Sequence, residues 1–394
     1  MASTGGTQDW PMKFGIFMAP FHPTGQNPTY ALERDLALIE HLDRLGFDEA
    51  WIGEHHSGGY EIIASPEIFI ATAAQRTQRI KLGTGVVSLP YHNPLMVADR
   101  MMQLDHLTRG RTMFGVGPGL LPSDAMMLGI DPRNQRDMMT ESLDVIIRLM
   151  RGEVVTAKTS WFELRDAKLQ LAPYTRPHME IAVAASVSPS GPRTAGKWGL
   201  SMLSPAATST GGFSALAHHW SLVEETAREH GTTVSRENWR VAGPVHIAES
   251  REQARKDTKF GLARWLHYFQ KVVALPGVPE SGDADYCLDA MVDLGFVVCG
   301  DPDDLVKQLT RLEEQTGGFG AFLVTAHDWA DREATHRSYD LIARFVAPKF
   351  QDASAWTQRS MHWVSENRPT FLAAATQGIL EAIQKDRDKR EQAG

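Results

Sequence analysis

The sequence predicts an α/β protein built as a single (β/α)8 barrel, and three observations carry that prediction. Short, β-branched apolar runs recur along the chain, each followed by a stretch with apolar residues at helical spacing. This alternation completes eight times by about Val346, with no change of period to mark a second domain. The segment Gly115–Leu120, G-V-G-P-G-L, lacks the third glycine of a dinucleotide fingerprint, and no acid follows a strand at the right offset. An open doubly wound sheet is therefore the lesser reading.

Each element has its own justification. Lys13–Ala19, K-F-G-I-F-M-A, reads as the first strand and stops at Pro20; a polar loop, F-H-P-T-G-Q-N-P, follows. Leu32, Leu36, Ile39, Leu42 and Leu45 share one face of a helix over residues 29–45, and Gly46 stands at its C-cap position. Glu49–Gly53 is the second strand and runs straight into Glu54, His55 and His56, with a helix over residues 66–76. The third strand lies in Ile80–Pro94, I-K-L-G-T-G-V-V-S-L-P-Y-H-N-P, too continuously apolar for a half-solvated strand. Helix three begins after Asn93-Pro94. The fourth strand, Arg111–Gly117, ends in the loop P-G-L-L-P-S-D, and a helix over 133–150 follows.

Residues 154–171 read as a hairpin insertion. Strand five is Met179–Ala184, followed by A-S-V-S-P-S-G-P opening a helix; strands six and seven are Leu200–Leu203 and Arg240–Ala248. Helices are expected over 212–230 and, unbroken, over 252–272. Residues 274–296, rich in Gly, Pro and acids, are expected to be a long mobile excursion before strand eight. Asp301-Pro302 caps the next helix, Gly320–Thr325 is strand eight, and the last barrel helix covers 332–346. The domain reading is a barrel over residues 1–350 and a C-terminal extension, helical or frayed, over 351–394.

The totals exclude several classes. An apolar content of 42%, a charged content of 22% and a net charge of −8 describe a globular protein and disfavour a nucleic-acid surface. The two cysteines form neither a disulfide framework nor a metal knuckle. No signal-peptide pattern opens the chain and no run is long enough for a membrane helix, so a cytoplasmic protein without membrane partners is expected.

In a barrel the chemistry belongs at the C-terminal strand ends. Those ends carry Phe21 and His22, then Glu54, His55 and His56, then Tyr91, His92 and Asn93. Gly117 to Asp124 follow strand four, and Ser186, Ser188 and Ser190 follow strand five. Three recurrent histidines raise the thought of a metal, but no clear fourth ligand accompanies them and none is assigned. Gly83 and Gly85 weaken a strand, which marks close approach of a ligand or another backbone, or else a tight barrel interior. The serines at a helix start suit a phosphate, or plain helix capping. Taken together, the glycines and serines fit a flat ring with a phosphate tail, such as FMN.

The motifs F-G-I-F, G-F-D-E-A-W-I-G-E-H-H, the Ile80–Pro94 stretch, L-D-H-L-T-R-G-R-T-M-F-G-V-G-P-G and the late C-G-D-P-D-D-L resemble the bacterial luciferase-like flavin monooxygenases over residues 12–348. F-H-P-T-G-Q-N-P and G-V-G-P-G-L-L-P-S-D are most similar to its limonene monooxygenase branch. The resemblance implies a TIM barrel that uses reduced FMN from a separate NAD(P)H:flavin reductase. It implies reaction with dioxygen through a flavin hydroperoxide and oxygenation of a small apolar substrate such as a terpene, ketone or aldehyde. It also implies a homodimer. His55 matches the family's histidine on the peroxide side of the flavin, Gly85-Val86 its non-proline cis peptide beneath the ring, and Ser186 its phosphate-contacting serine. Gly117 belongs to the cofactor side, Ser188 and Ser190 to the phosphate. Phe21, His92 and Leu120, with Trp51 and Met113, would line the substrate pocket.

Two departures stand out. Gly117 and Pro118 replace the luciferase Cys-Arg pair, and Ala185 replaces an acid beside the phosphate serine, so light emission is not implied. Two other readings stay open: a deazaflavin-dependent hydride-transferring oxidoreductase, and a non-catalytic flavin-binding protein.

Overall fold

A computed structural model describes residues 8, 10–19, 21–273 and 278–393. In chain order its strands are β1 (Lys13–Met18), β2 (Glu49–Ile52), β3 (Lys81–Thr84), β4 (Val87–Ser88), β5 (Thr112–Gly117), β6 (Val155–Lys158) and β7 (Glu163–Ala167). They continue as β8 (Ile181–Ala184), β9 (Ser201–Ser204), β10 (Trp239–Ile247), β11 (Val298–Gly300) and β12 (Ala321–Thr325). The helices are α1 (Pro28–Leu45), α2 (Pro66–Arg76), α3 (Pro94–Thr108), α4 (Pro122–Met127), α5 (Gln135–Met150), α6 (Ser190–Trp198) and α7 (Thr210–His230). After them come α8 (Arg251–Thr258), α9 (Leu262–Lys271), α10 (Ala284–Asp293), α11 (Pro302–Thr316), α12 (Arg332–Leu341), α13 (Ala347–Phe350) and α14 (Ala355–Ala393).

Parallel pairing runs β1–β2–β3–β5–β8–β9–β10–β12 and back to β1, closing an eight-membered barrel; β4 extends the β3 position beside β5. Cap residues explain where helices start and stop. Asn27 accepts the Thr29 and Tyr30 N–H groups at α1, Asn93 that of Leu95 at α3, and Asp301 with Asp304 forms a capping box at α11.

Alternate residues of each strand face inward or outward. Outward Phe14, Ile16, Ala50, Ile52, Phe114 and Val116 pack under the helices, while Phe17, Trp51, Met113, Leu203 and Leu323 fill the interior. At the N-terminal end of that interior Arg240 is buried between Glu49 and Glu180: its Nη2 donates to Glu49 at 2.8 Å and its Nη1 to Glu180. The Trp51 ring lies over this guanidinium at 5.4 Å, its indole N–H donating to Glu49 at 2.9 Å. Trp51 also settles the strand-three glycines. A β carbon on Gly83 would meet the Trp51 ring at 2.6 Å, and one on Gly85 would stand 3.0 Å from Trp51 Cβ and 3.1 Å from Phe17. Both glycines make room for the barrel's own aromatics, the tight-interior alternative.

Other expectations need correction. The single helix over 252–272 is two, because Gly261 breaks it: its N–H donates to the Trp329 carbonyl at 2.9 Å, and its backbone passes too close to the Asp328 carbonyl for any side chain. The expected mobile excursion holds α10, whose Cys287, Leu288 and Met291 are fully buried with Phe21, Trp265 and Tyr268 in a satellite core; residues 274–277 lie outside the described residues. Two further elements went unforeseen: β11, which pairs with the C-terminal half of β10 outside the ring, and α4, within the P-S-D loop. The hairpin insertion is β6–β7, antiparallel.

The chain divides into two compact units, Met1–Phe350 and Gln351–Gly394. The second is the 39-residue helix α14, exposed along its length and containing Pro369. No helix among the described residues is long and apolar enough to cross a membrane.

Candidate active site at the barrel mouth

Two strand ends, those of β2 and β4, bring His55, His56 and His92 together, whereas His22, after β1, is buried against Asp35 at 2.7 Å. Glu54, one residue beyond the β2 bend at Gly53, is the hub. Its side chain has no solvent exposure, and its Oε1 stands 2.8 Å from His56 Nε2 and 2.6 Å from His92 Nε2. Its Oε2 accepts the Ser88 N–H at 2.7 Å. Burial works against the Glu54 charge, but these hydrogen bonds outweigh it and hold its pKa below the usual carboxylate value. The same hydrogen bond to Glu54 raises the pKa of His56.

By residue type Glu54, His56 and His92 form a possible metal-ligand set. Their spacing argues for protons instead. The Arg100 guanidinium, which can only donate, lies 3.5 Å from His92 Nδ1, so the His92 proton belongs on Nε2, toward Glu54.

His55 sits in a second group. Its side chain is 11% exposed; Nδ1 lies 3.1 Å from Asp124 Oδ2 and Nε2 3.2 Å from Glu61 Oε2. Asp124, in the first turn of α4, also accepts from Ser57 Oγ at 2.5 Å and the His56 N–H at 3.2 Å. Burial alone would lower the His55 pKa, yet Glu61 and Asp124 together raise it. Asp124 responds in kind: desolvation opposes its charge, and the bonds to His55 and Ser57 lower its pKa overall. The arrangement holds an imidazolium with a proton on each nitrogen.

Beside these groups the Gly85–Val86 peptide bond is cis, at the geometry the resemblance implied. Val86 is half-buried and covers Gly117, where a β carbon would come 2.6 Å from Val86 Cγ2. Gly85 and Val86, between β3 and β4, are thus brought beside Gly117 at the end of β5. On the next strand end Ser186 and Ser190 are exposed and Ser188 half-buried; the Ser188 and Ser190 hydroxyls are 3.0 Å apart, the Ser188 hydroxyl accepts the Ser190 N–H at 3.4 Å, and the N-cap residue itself, Pro189, has no side-chain cap bond. Arg193, exposed in the first turn of α6, is a basic residue on this side.

The pocket residues divide. Phe21 is buried and stacks on Tyr60 at 5.5 Å, with Tyr268 at 5.7 Å. His92 is held by Glu54. Leu120 is 67% exposed on the approach to α4. Trp51 and Met113 are barrel core below the mouth, not pocket wall. Glu61, Asp124 and Tyr268 had no role in the sequence reading. The one available signal was an acid set among Tyr60, Ile62 and Ile63, since such an acid is rarely buried without a partner.

The sequence profile described as "Luciferase-like monooxygenase" matches residues 12–319. The chain belongs to that family. This luciferase-like monooxygenase is 50% identical to limonene 1,2-monooxygenase of Rhodococcus erythropolis over 94% of its own length and 95% of that protein's. It is 48% identical to 4-hydroxyprotoasukamycin monooxygenase of Streptomyces nodosus subsp. asukaensis, over 92% and 99%. Among solved structures it is similar to the oxygenating constituent of 3,6-diketocamphane monooxygenase of Pseudomonas putida, a type II Baeyer–Villiger monooxygenase in complex with FMN. That match has a TM-score of 0.74 at 26% identity and covers 86% and 98% of the two chains. The luciferase-like monooxygenase described here is an enzyme of this oxygenating class. Its barrel also resembles an F420-dependent secondary alcohol dehydrogenase, with a TM-score of 0.63 at 20% identity, a likeness of fold alone.

Proposed function

We propose that the protein is the oxygenase half of a two-component system, taking reduced FMN from a separate NAD(P)H:flavin reductase and placing one oxygen atom of dioxygen on a small apolar substrate. The observation that carries this reading is His55, a histidine with a carboxylate facing each ring nitrogen, in a chain whose Gly85–Val86 peptide bond is cis. The residues fit the cofactor's two ends. The N-terminal end of α6, with Ser186, Ser188 and Ser190, suits its phosphate, and the surface of Val86 and Gly117 suits its ring. Reduced FMN bound there supplies the electrons that activate dioxygen.

The chain's own residues then do three things. Val86 and the surrounding strand ends give the ring an apolar seat. The paired histidines on Glu54 keep that hub ionised and rigid. His55 holds a proton at Nε2 for an oxygen that gains negative charge during the reaction, a task for which an imidazole titrating near neutral pH is suited. The names of the relatives and the aromatic surface of Phe21 and Tyr60 support a terpene or cyclic ketone as substrate.

Apolar substrates would be screened with reduced FMN from an unrelated reductase, products being read by mass spectrometry. Substrate-dependent oxygen uptake is expected. His55→Ala is expected to lower product yield by about 10²–10⁴-fold while reduced FMN still binds. Wild-type yield in that variant would remove His55 from the chemistry. Turnover with a reduced deazaflavin and none with FMN would replace oxygenation by hydride transfer.

A further inference from the structure

Glu61 has an unusual position for an acid. It is buried, and its two oxygens have different neighbours. Oε1 accepts the Tyr268 hydroxyl at 2.5 Å, a contact between residues 207 apart in sequence. Oε2 is buried without a well-angled hydrogen-bond partner and lies 3.2 Å from His55 Nε2. Tyr268 itself is immobilised. It is 1% exposed, packs on Tyr60 at 4.8 Å and on Phe21 at 5.7 Å, and belongs to the buried face of α9 with Trp265 and Leu266. A phenol fixed in this way donates to Glu61, its one hydrogen-bond acceptor among the described residues.

We propose that Glu61 is a positioning residue for His55, and that Tyr268 makes α9 part of the active site by clamping Glu61 where its second oxygen holds the Nε2 proton. The proposal rests on His55 being the acid–base group of the oxygenation. It assigns the Asp124–His55–Glu61–Tyr268 row a definite task, to start each turnover with His55 protonated. A proton leaving Nε2 for a reacting oxygen leaves its electron pair on nitrogen and the Nδ1–H on Asp124.

The groups facing His55 are Glu61 from the loop before α2, Asp124 from α4, Glu54 and His56 on its own strand end, and Tyr268 from α9 through Glu61. Three of them are carboxylates and one, Glu54, is already occupied by two other histidines. The increment that Glu61 contributes is therefore separable from the rest.

The test follows the His55 imidazole by NMR titration of the whole protein without cofactor or substrate, with the signal assigned from His55→Gln. In the wild type His55 is expected to titrate above the ordinary histidine midpoint. Glu61→Gln, which keeps the shape and the Tyr268 contact, should lower that midpoint by about one pH unit or more. Glu61→Asp should recover part of the shift. Tyr268→Phe should lower the midpoint less than Glu61→Gln does, because the charge remains but is free to turn away. In turnover assays the pH profile of kcat should move with the midpoint, while KM for the substrate stays within about twofold. An unchanged His55 midpoint in folded Glu61→Gln and Tyr268→Phe proteins would overturn the proposal and leave the oxygenase reading intact. A shifted midpoint with full activity in His55→Ala would leave Glu61 coupled to His55 but take His55 out of the oxygenation, and the proposed task would fall with it.

Discussion

The two ends of the barrel interior each bury carboxylates against cations, and they do so to opposite effect. At the N-terminal end Arg240 is locked between Glu49 and Glu180, and its pKa is pushed further up by them against the cost of burial. No proton leaves that cluster in any accessible condition. At the mouth the basic groups are the imidazoles of His55, His56 and His92, against Glu54, Glu61 and Asp124. The geometry is similar, yet the partners there are imidazoles, and those of His55 and His56 are raised by their carboxylates from a value that already lies near neutrality. The difference teaches that burial and ion pairing do not themselves make a site. The choice of guanidinium or imidazole decides whether the same arrangement is a rivet or a reservoir.

The largest expected effect comes from breaking the rivet. Arg240→Met leaves Glu49 buried and uncompensated, and should cost about 3–5 kcal/mol in urea unfolding. An unchanged midpoint would mean that water reaches Glu49. Smaller, and local to the layer between the two clusters, is Gly83→Ala. The new methyl would sit 2.6 Å from the Trp51 ring and should cost about 1–3 kcal/mol, part of it recovered in the double variant with Trp51→Phe. Additive losses would show that the two residues do not share that space.

The smallest effect sharpens the contrast between the ends. His55 and His56 both have raised pKa values when folded. Their pairs therefore contribute full stability below the unfolded histidine value near 6.5, and lose it as the pH rises through their folded values. Thermal stability should fall over that alkaline window and fall less in His55→Gln. In Arg240→Met the slope should remain. A wild-type slope in His55→Gln would move the pH dependence away from the mouth.

The sequence exposed whatever depends on local pattern. Eight strand runs, the helix starts at Asn93-Pro94 and Asp301-Pro302 and the β6–β7 hairpin all follow from spacing within a dozen or so residues. The family resemblance then marked Gly85-Val86, which is cis. What stayed hidden depends on register or distance. Gly83 and Trp51 meet only because β2 and β3 pair Trp51 with Gly83. Glu61 finds Tyr268 across most of the barrel, and no pattern of alternation encodes that meeting. The segment over 274–296 looked like loop because its glycines, prolines and acids mask α10, whose stability comes from burying Cys287, Leu288 and Met291 in the satellite core.

Trp51, seated on Arg240 and flanked by Phe17 and Met113, has a further meaning for traffic. It makes the barrel a cup rather than a tube, with a stopper one layer below the rim. Under the proposed function, cofactor, dioxygen, substrate and product would all share the mouth, and the order in which they pass would be set by the rim loops.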